Sequence, residues 1–97
     1  MLELSDLEAT RQRSAAVARA LADAKRLCVL QCLGEGELSV RDLSDRVGCH
    51  VPTMSQHLAV LRNSGLVLTW RDGNVIYYRL ADTRILEACQ LLQSISG

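Results

Sequence analysis

Apolar residues recur along this chain at helical spacing in five stretches and switch once to a strand pattern. Ser5 followed by Glu8 reads as a capping box opening a first helix to about Leu21, rich in alanine at Ala15, Ala16, Ala18 and Ala20. Asp23 suits the N-cap of a second helix with Leu27, Leu30 and Leu33 turned inward, ended by Gly34-Glu35-Gly36. Ser39 with Asp42 caps a short third helix whose core residues are Val40, Leu43 and Val47, stopped by Gly48. Pro52 fits the first turn of a fourth helix that ends at Asn63-Ser64-Gly65, with Val51, Met54, Leu58 and Leu61 in one apolar stripe. The pattern then becomes β: Leu66 to Arg71 and Val75 to Leu80 flank a turn at Asp72-Gly73. A last helix from about Asp82 aligns Ile85, Cys89 and Leu92, widened by Leu86, Ala88 and Ile95.

The fourth helix carries the chemistry. Opposite its apolar stripe lie Pro52, Thr53, Gln56, Ala59 and Asn63, with Ser55 and His57 beside them. A solvated face more often holds Lys and Glu, whereas short hydroxyls and an amide beside alanine let a helix approach a polar object closely, as in the DNA major groove. Two short helices joined through Gly48-Cys49-His50, the second with a hydrogen-bonding first half, match a helix-turn-helix. With the β-hairpin and closing helix, the expected fold is mainly α with a β-hairpin: a winged helix-turn-helix of about five helices plus a two-stranded wing.

Length and charge refine this picture. Ninety-seven residues make a single domain, 1–97, and a chain this short buries only about two thirds of its unfolded surface, which favours a dimer. No apolar run approaches the roughly 20 residues of a membrane span, and Met1-Leu2-Glu3 opens no signal-peptide core, so the cytoplasm is expected. Net charge is zero but uneven: residues 46–80 carry Arg46, Arg62, Arg71 and Arg79 against Asp72 alone, so the fourth helix lies in the one net-basic part. The four cysteines show neither zinc-ribbon pairs nor the spacing of a secreted disulfide scaffold.

Several motifs in fixed order carry a further likeness: Lys25-Arg26-Leu27, Glu37-Leu38-Ser39-Val40 with Asp42-Leu43, Ser55-Gln56-His57-Leu58 with Leu61-Arg62, Gly65-Leu66-Val67, and Arg71-Asp72-Gly73 through Tyr77-Tyr78-Arg79-Leu80. In these the whole chain resembles the ArsR/SmtB family of bacterial repressors. The resemblance implies a homodimer built from the first and last helices, bound to an imperfect palindrome in double-stranded operator DNA and released by an inducer. It places His50, Thr53, Ser55 and Gln56 against DNA and Arg71 and Asn74 in the wing, where Asn74 replaces a residue that is often basic. A carboxamide such as Gln56 can bond both N6 and N7 of adenine. Thr53, Ser55 and Arg62 suit phosphates, which position without specifying. His57 lies nearer the apolar stripe, as a ring at the edge of the core.

Departures from the family bear on the signal. The places of its thiolate metal site on the third helix hold Ser39 and Arg41, which cannot bind a thiophilic ion. Of its zinc site on the last helix only Asp82 is kept, with Arg84 in a histidine's place. A subgroup sensing sulfide or redox state uses one cysteine on the second helix and one on the last. Cys32 and Cys89 occupy those helices, Cys32 one position beyond the usual place, held here by Gln31, and Cys89 well before it. Cys28 and Cys32 share one helix face, a spacing suited to joint coordination of a soft ion and poor for a disulfide between them. The expected signal is reactive sulfur or oxidant acting on Cys28, Cys32 and Cys89; the alternative is a soft metal or metalloid such as arsenite held by the same three thiolates. Cys49 sits in the turn before the fourth helix. Two other classes fit less well: a winged-helix interaction module without inducer, and a cysteine enzyme pairing Cys49 with His50 or His57, for which no orienting carboxylate is evident. No enzymatic activity is expected.

Overall fold

The computed structural model describes residues 3–97, so the Met1-Leu2 start lies outside the described residues. The order is α1 (Leu4–Leu21), α2 (Ala24–Leu33), β1 (Leu38–Ser39), α3 (Val40–Val47), α4 (Val51–Asn63), β2 (Val67–Asp72), β3 (Val75–Leu80) and α5 (Arg84–Ser96). No helix among the described residues is long and apolar enough to cross a membrane.

Most boundaries follow from local caps. The Asp23 carboxylate accepts the Arg26 N–H at 3.1 Å, and Ser39 Oγ accepts that of Asp42 at 3.2 Å while Asp42 reaches back to the Ser39 N–H. Gly48 ends α3 at φ +80°, a left-handed conformation that glycine adopts without Cβ strain. α4 ends likewise at Gly65, with the Leu66 N–H bonded to the Leu61 carbonyl at 2.9 Å.

Four sequence expectations about the elements are corrected. α1 begins at Leu4 with Glu3 at the N-cap and no side-chain cap, so Ser5 is already helical and no capping box forms; Glu8 pairs with Arg11 instead, at 3.2 Å. α5 begins at Arg84, because the Asp82 carboxylate folds over outside the helix to accept the Arg84 N–H at 2.8 Å. The hairpin gains a third strand: β1 pairs antiparallel with β3 through Leu38↔Tyr78 and Ser39↔Tyr77, giving the order β1-β3-β2. The wing turns at Gly73-Asn74, since Asp72 pairs with Val75.

The core gathers Val29, Leu30 and Leu33 of α2, Leu43 of α3, Met54, Leu58 and Leu61 of α4, and Ile85 and Cys89 of α5. Val51, read as part of the α4 stripe, is 43% exposed, because the first residue of the helix lies a turn outside the core. On α5, Leu91, Leu92 and Ile95 are exposed although the stripe counted Leu92 and Ile95 as apolar packing positions; Leu4 on α1 is exposed too.

Candidate nucleic-acid interface and thiol positions

α4 is held from behind and bare in front. Met54, Leu58 and Leu61 are completely buried, whereas Thr53, Ser55, Gln56, Ala59, Arg62 and Asn63 are exposed. Its N-terminal end has no side-chain cap from His50 and no acidic residue in the first turn. The amide groups and positive dipole end there are open to an anion such as a phosphate.

The turn before α4 is fixed from α2. Lys25 Nζ donates to the carbonyls of Val47 and Gly48 at 3.2 and 3.3 Å, satisfying the C-terminal end of α3 and setting the direction in which the chain leaves it. Lys25 was legible in the sequence only as part of a motif, without a role, because its partners lie more than twenty residues away. His57 turns inward, its side chain 16% exposed, with Nδ1 3.4 Å from Arg26 Nη1 and 4.0 Å from Asp23 Oδ1. The Asp23 carboxylate is held below the usual range chiefly by the Arg26 backbone N–H, against burial, with the Arg26 guanidinium adding to it.

The wing carries Arg71 and Asn74, both exposed. It is braced midway along by a 2.7 Å hydrogen bond from Trp70 Nε1 to Glu37 and by stacking of Trp70 on Tyr77, ring centroids 4.9 Å apart. Of the four arginines in the basic region, Arg46 pairs with Glu35 at 3.6 Å; among the described residues Arg62, Arg71 and Arg79 form no ion pair. Their charge is therefore available to a polyanion.

The arrangement agrees with known proteins. Residues 23–69 match the family model described as bacterial regulatory protein, arsR family. The chain is 33% identical to the transcriptional activator HlyU of Vibrio cholerae over 94 residues, covering 97% of this chain and 87% of that protein. The chain belongs to the ArsR family. It is also 49% identical over 69 residues to the HTH-type transcriptional regulator KmtR of Mycobacterium tuberculosis, but that match takes in 71% of this chain and only 53% of KmtR. The solution structure of the homodimeric winged helix-turn-helix DNA-binding domain Mb0332 from Mycobacterium bovis superposes with a TM-score of 0.85 at 33% identity, covering 99% of this chain and 90% of that one. This ArsR-family chain is thus a winged-helix transcriptional regulator, and its relatives are regulators rather than enzymes.

In this ArsR-family chain the two familiar metal positions have other work. Ser39 is buried in the α3 capping box, and Asp82 binds its neighbour Arg84, whose side chain holds the carboxyl below its usual range. All four cysteines are free thiols, Cys28, Cys32 and Cys49 half-buried and Cys89 buried. Cys32 lines a polar cleft with Glu35, Glu37 and Arg46. Cys89 lines a different, mainly apolar groove of about 440 Å³ between α2 and α5, together with Leu27, Gln31 and Leu92. On α2 it is thus Gln31 that faces the Cys89 groove, while Cys32, about 100° further round, looks elsewhere. Burial pushes the Cys32 thiol up, as does the adjacent Cys28 thiol, with Arg46 opposing; burial alone pushes up Cys89. Both are correspondingly poor in thiolate at neutral pH. Among the described residues no three His, Cys, Asp or Glu side chains are grouped to hold a metal ion within one chain.

Proposed function

We propose that this chain, folded as one domain over residues 1–97, acts in the cytoplasm as a homodimeric repressor holding a palindromic operator. The observation that carries this is the front of α4: Thr53, Ser55 and Gln56 exposed and uncharged on a helix whose other face is locked into the core. Gln56 reads a base edge, Thr53, Ser55 and Arg62 bind phosphates beside His50, and Arg71 and Asn74 follow the backbone from the wing. A dimer places two α4 helices in successive major grooves about 34 Å apart. A mobility-shift assay with the gene's own upstream DNA tests the binding. Because HlyU is named an activator, a reporter fused to that DNA decides the sign of regulation.

Gln56→Ala should cost about 1–3 kcal/mol of operator affinity and relax one base position, whereas Arg62→Ala should weaken binding to all sequences and flatten its salt dependence. Unaltered base preference in the Gln56 variant removes it from the reading role.

We further propose that the inducing signal acts on thiols, as reactive sulfur or oxidant. Cys28 and Cys32 support this reading, as adjacent half-buried thiols on the helix that holds the α3–α4 turn through Lys25. Cys89 joins them only if α2 or α5 shifts, since it lines a separate groove. Changing Cys28, Cys32 and Cys89 together to Ser should abolish release from the operator by persulfide or peroxide. A response retained in that variant makes these cysteines packing residues, and release by arsenite alone selects the soft-ion reading.

A further inference from the structure

Helix α1, assigned above to the dimer, and helix α4, assigned to the operator, have little direct contact. A cleft of about 340 Å³ lies between them, lined by Ala16 and Ala20 of α1, by Val60 and Asn63 of α4, and by Arg26. The arginine crosses where packing does not. Its Nε donates to the Ala20 carbonyl at 2.7 Å and its Nη2 to that of Arg19 at 3.0 Å, both in the last turn of α1, where the Arg19 carbonyl also accepts the Ala22 N–H at 3.1 Å. Its Nη1 lies 3.4 Å from His57 Nδ1 on α4. Asp23 balances the charge, with Oδ2 3.9 Å from Nη1 and Oδ1 bonded to the Arg26 N–H.

We propose that Arg26 is the positioning residue of the DNA-reading helix, fixing α4 through His57 onto the C-terminal end of the dimer helix α1. A guanidinium has donors only, so this 3.4 Å hydrogen bond requires His57 Nδ1 to accept and the ring proton to sit on Nε2, with Asp23 Oδ1, 4.0 Å from Nδ1, bonded to the Arg26 N–H rather than to the ring. The side chains of Arg26 and His57 are 15% and 16% exposed, and hydrogen bonds in such a shielded place constrain geometry more than they would in water. His57 follows Gln56 directly, so a shift of the ring along α1 displaces the reading amide by a comparable amount. The planar fork is what allows one side chain to address three acceptors in two other helical segments; an ammonium is a point charge and cannot hold all three in register.

The inference rests on the operator reading above, so its test has one arm without DNA. In nitrogen NMR of the free protein, wild-type His57 should show a single Nε2–H tautomer with a hydrogen-bonded Nδ1, while exposed His50 serves as control. Arg26→Lys should release His57 into a tautomer mixture. The same variant should remain a dimer by sedimentation and lose roughly 10-fold in affinity for a duplex carrying the gene's upstream region. Its salt dependence should keep the wild-type slope, because no phosphate contact is removed. His57→Leu should lose as much, His57→Gln, which keeps an acceptor, should lose less, and Arg26→Lys combined with His57→Leu should be no worse than either alone. An unchanged His57 spectrum in Arg26→Lys overturns the proposal, as does unchanged affinity, a flattened salt slope or additive losses. A wild-type protein that prefers its upstream duplex no more than a scrambled one instead refutes the operator reading, and leaves the tautomer result to decide whether Arg26 holds α4.

Discussion

Leu91→Asp is expected to yield a folded monomer that no longer grips its operator. Leu91 is 64% exposed in the single chain, and with Leu92 and Ile95 it gives the end of α5 an apolar surface left open among the described residues. A carboxylate on such a position costs a lone chain little, of the order of 0.5 kcal/mol or less. Buried between two subunits without a partner, the same charge costs several kcal/mol per copy and enters twice by symmetry. Loss of the second α4 then removes the gain from binding two half-sites at once, about 10²–10⁴-fold in affinity. Sedimentation at micromolar concentration, circular dichroism and a mobility shift together check this. A variant that still sediments as a dimer shows that the dimer uses another surface.

Leu58→Ala should produce a large loss of stability. Leu58 is completely buried beside Met54 and Leu61, so its truncation removes transfer energy and leaves a cavity, about 2–5 kcal/mol together. Against a total stability of about 5–15 kcal/mol this is a large share, and at 4–8 °C per kcal/mol for a domain of this size Tm should fall by roughly 10–40 °C. Thermal unfolding at one fixed protein concentration is the measurement, because dimerisation makes Tm concentration-dependent. Val51→Ala supplies the contrast: it belongs to the same stripe on paper but is 43% exposed, so Tm should change little. A Leu58 variant with the wild-type Tm would mean that the packing around α4 adapts to the missing volume.

What the sequence revealed, and what it hid, divides by distance along the chain. Asp23, the Ser39–Asp42 box, Gly48, Pro52 and Gly65 act on backbone groups within five residues, so their roles were readable from spacing alone. The exposed front of α4 was readable too, since helical periodicity sets which residues oppose a buried stripe. β1 was not: a two-residue strand has no alternation to detect, and its partner β3 lies far along the chain. The bonds of Lys25 to the α3 end and of Arg26 to His57 span 22, 23 and 31 residues and exist only once the helices are stacked. The cysteines show the limit most sharply. Their helices were identified, but whether position 31 or 32 faces α5 depends on the rotation of α2 about its own axis, which tertiary packing sets.

The pairing of Leu38 with Tyr78 and Ser39 with Tyr77 also orders events in time. α3 and α4 are local structures that form within microseconds, whereas this seam joins chain segments about forty residues apart and must wait for its second strand. During synthesis at about 5–20 residues per second, every residue of both helices is made before Tyr77 is added. In between, the nascent chain holds the residues of the helix-turn-helix without the strand that closes the loop behind them. The helix-turn-helix is thus closed late, when Tyr77 and Tyr78 zip onto β1.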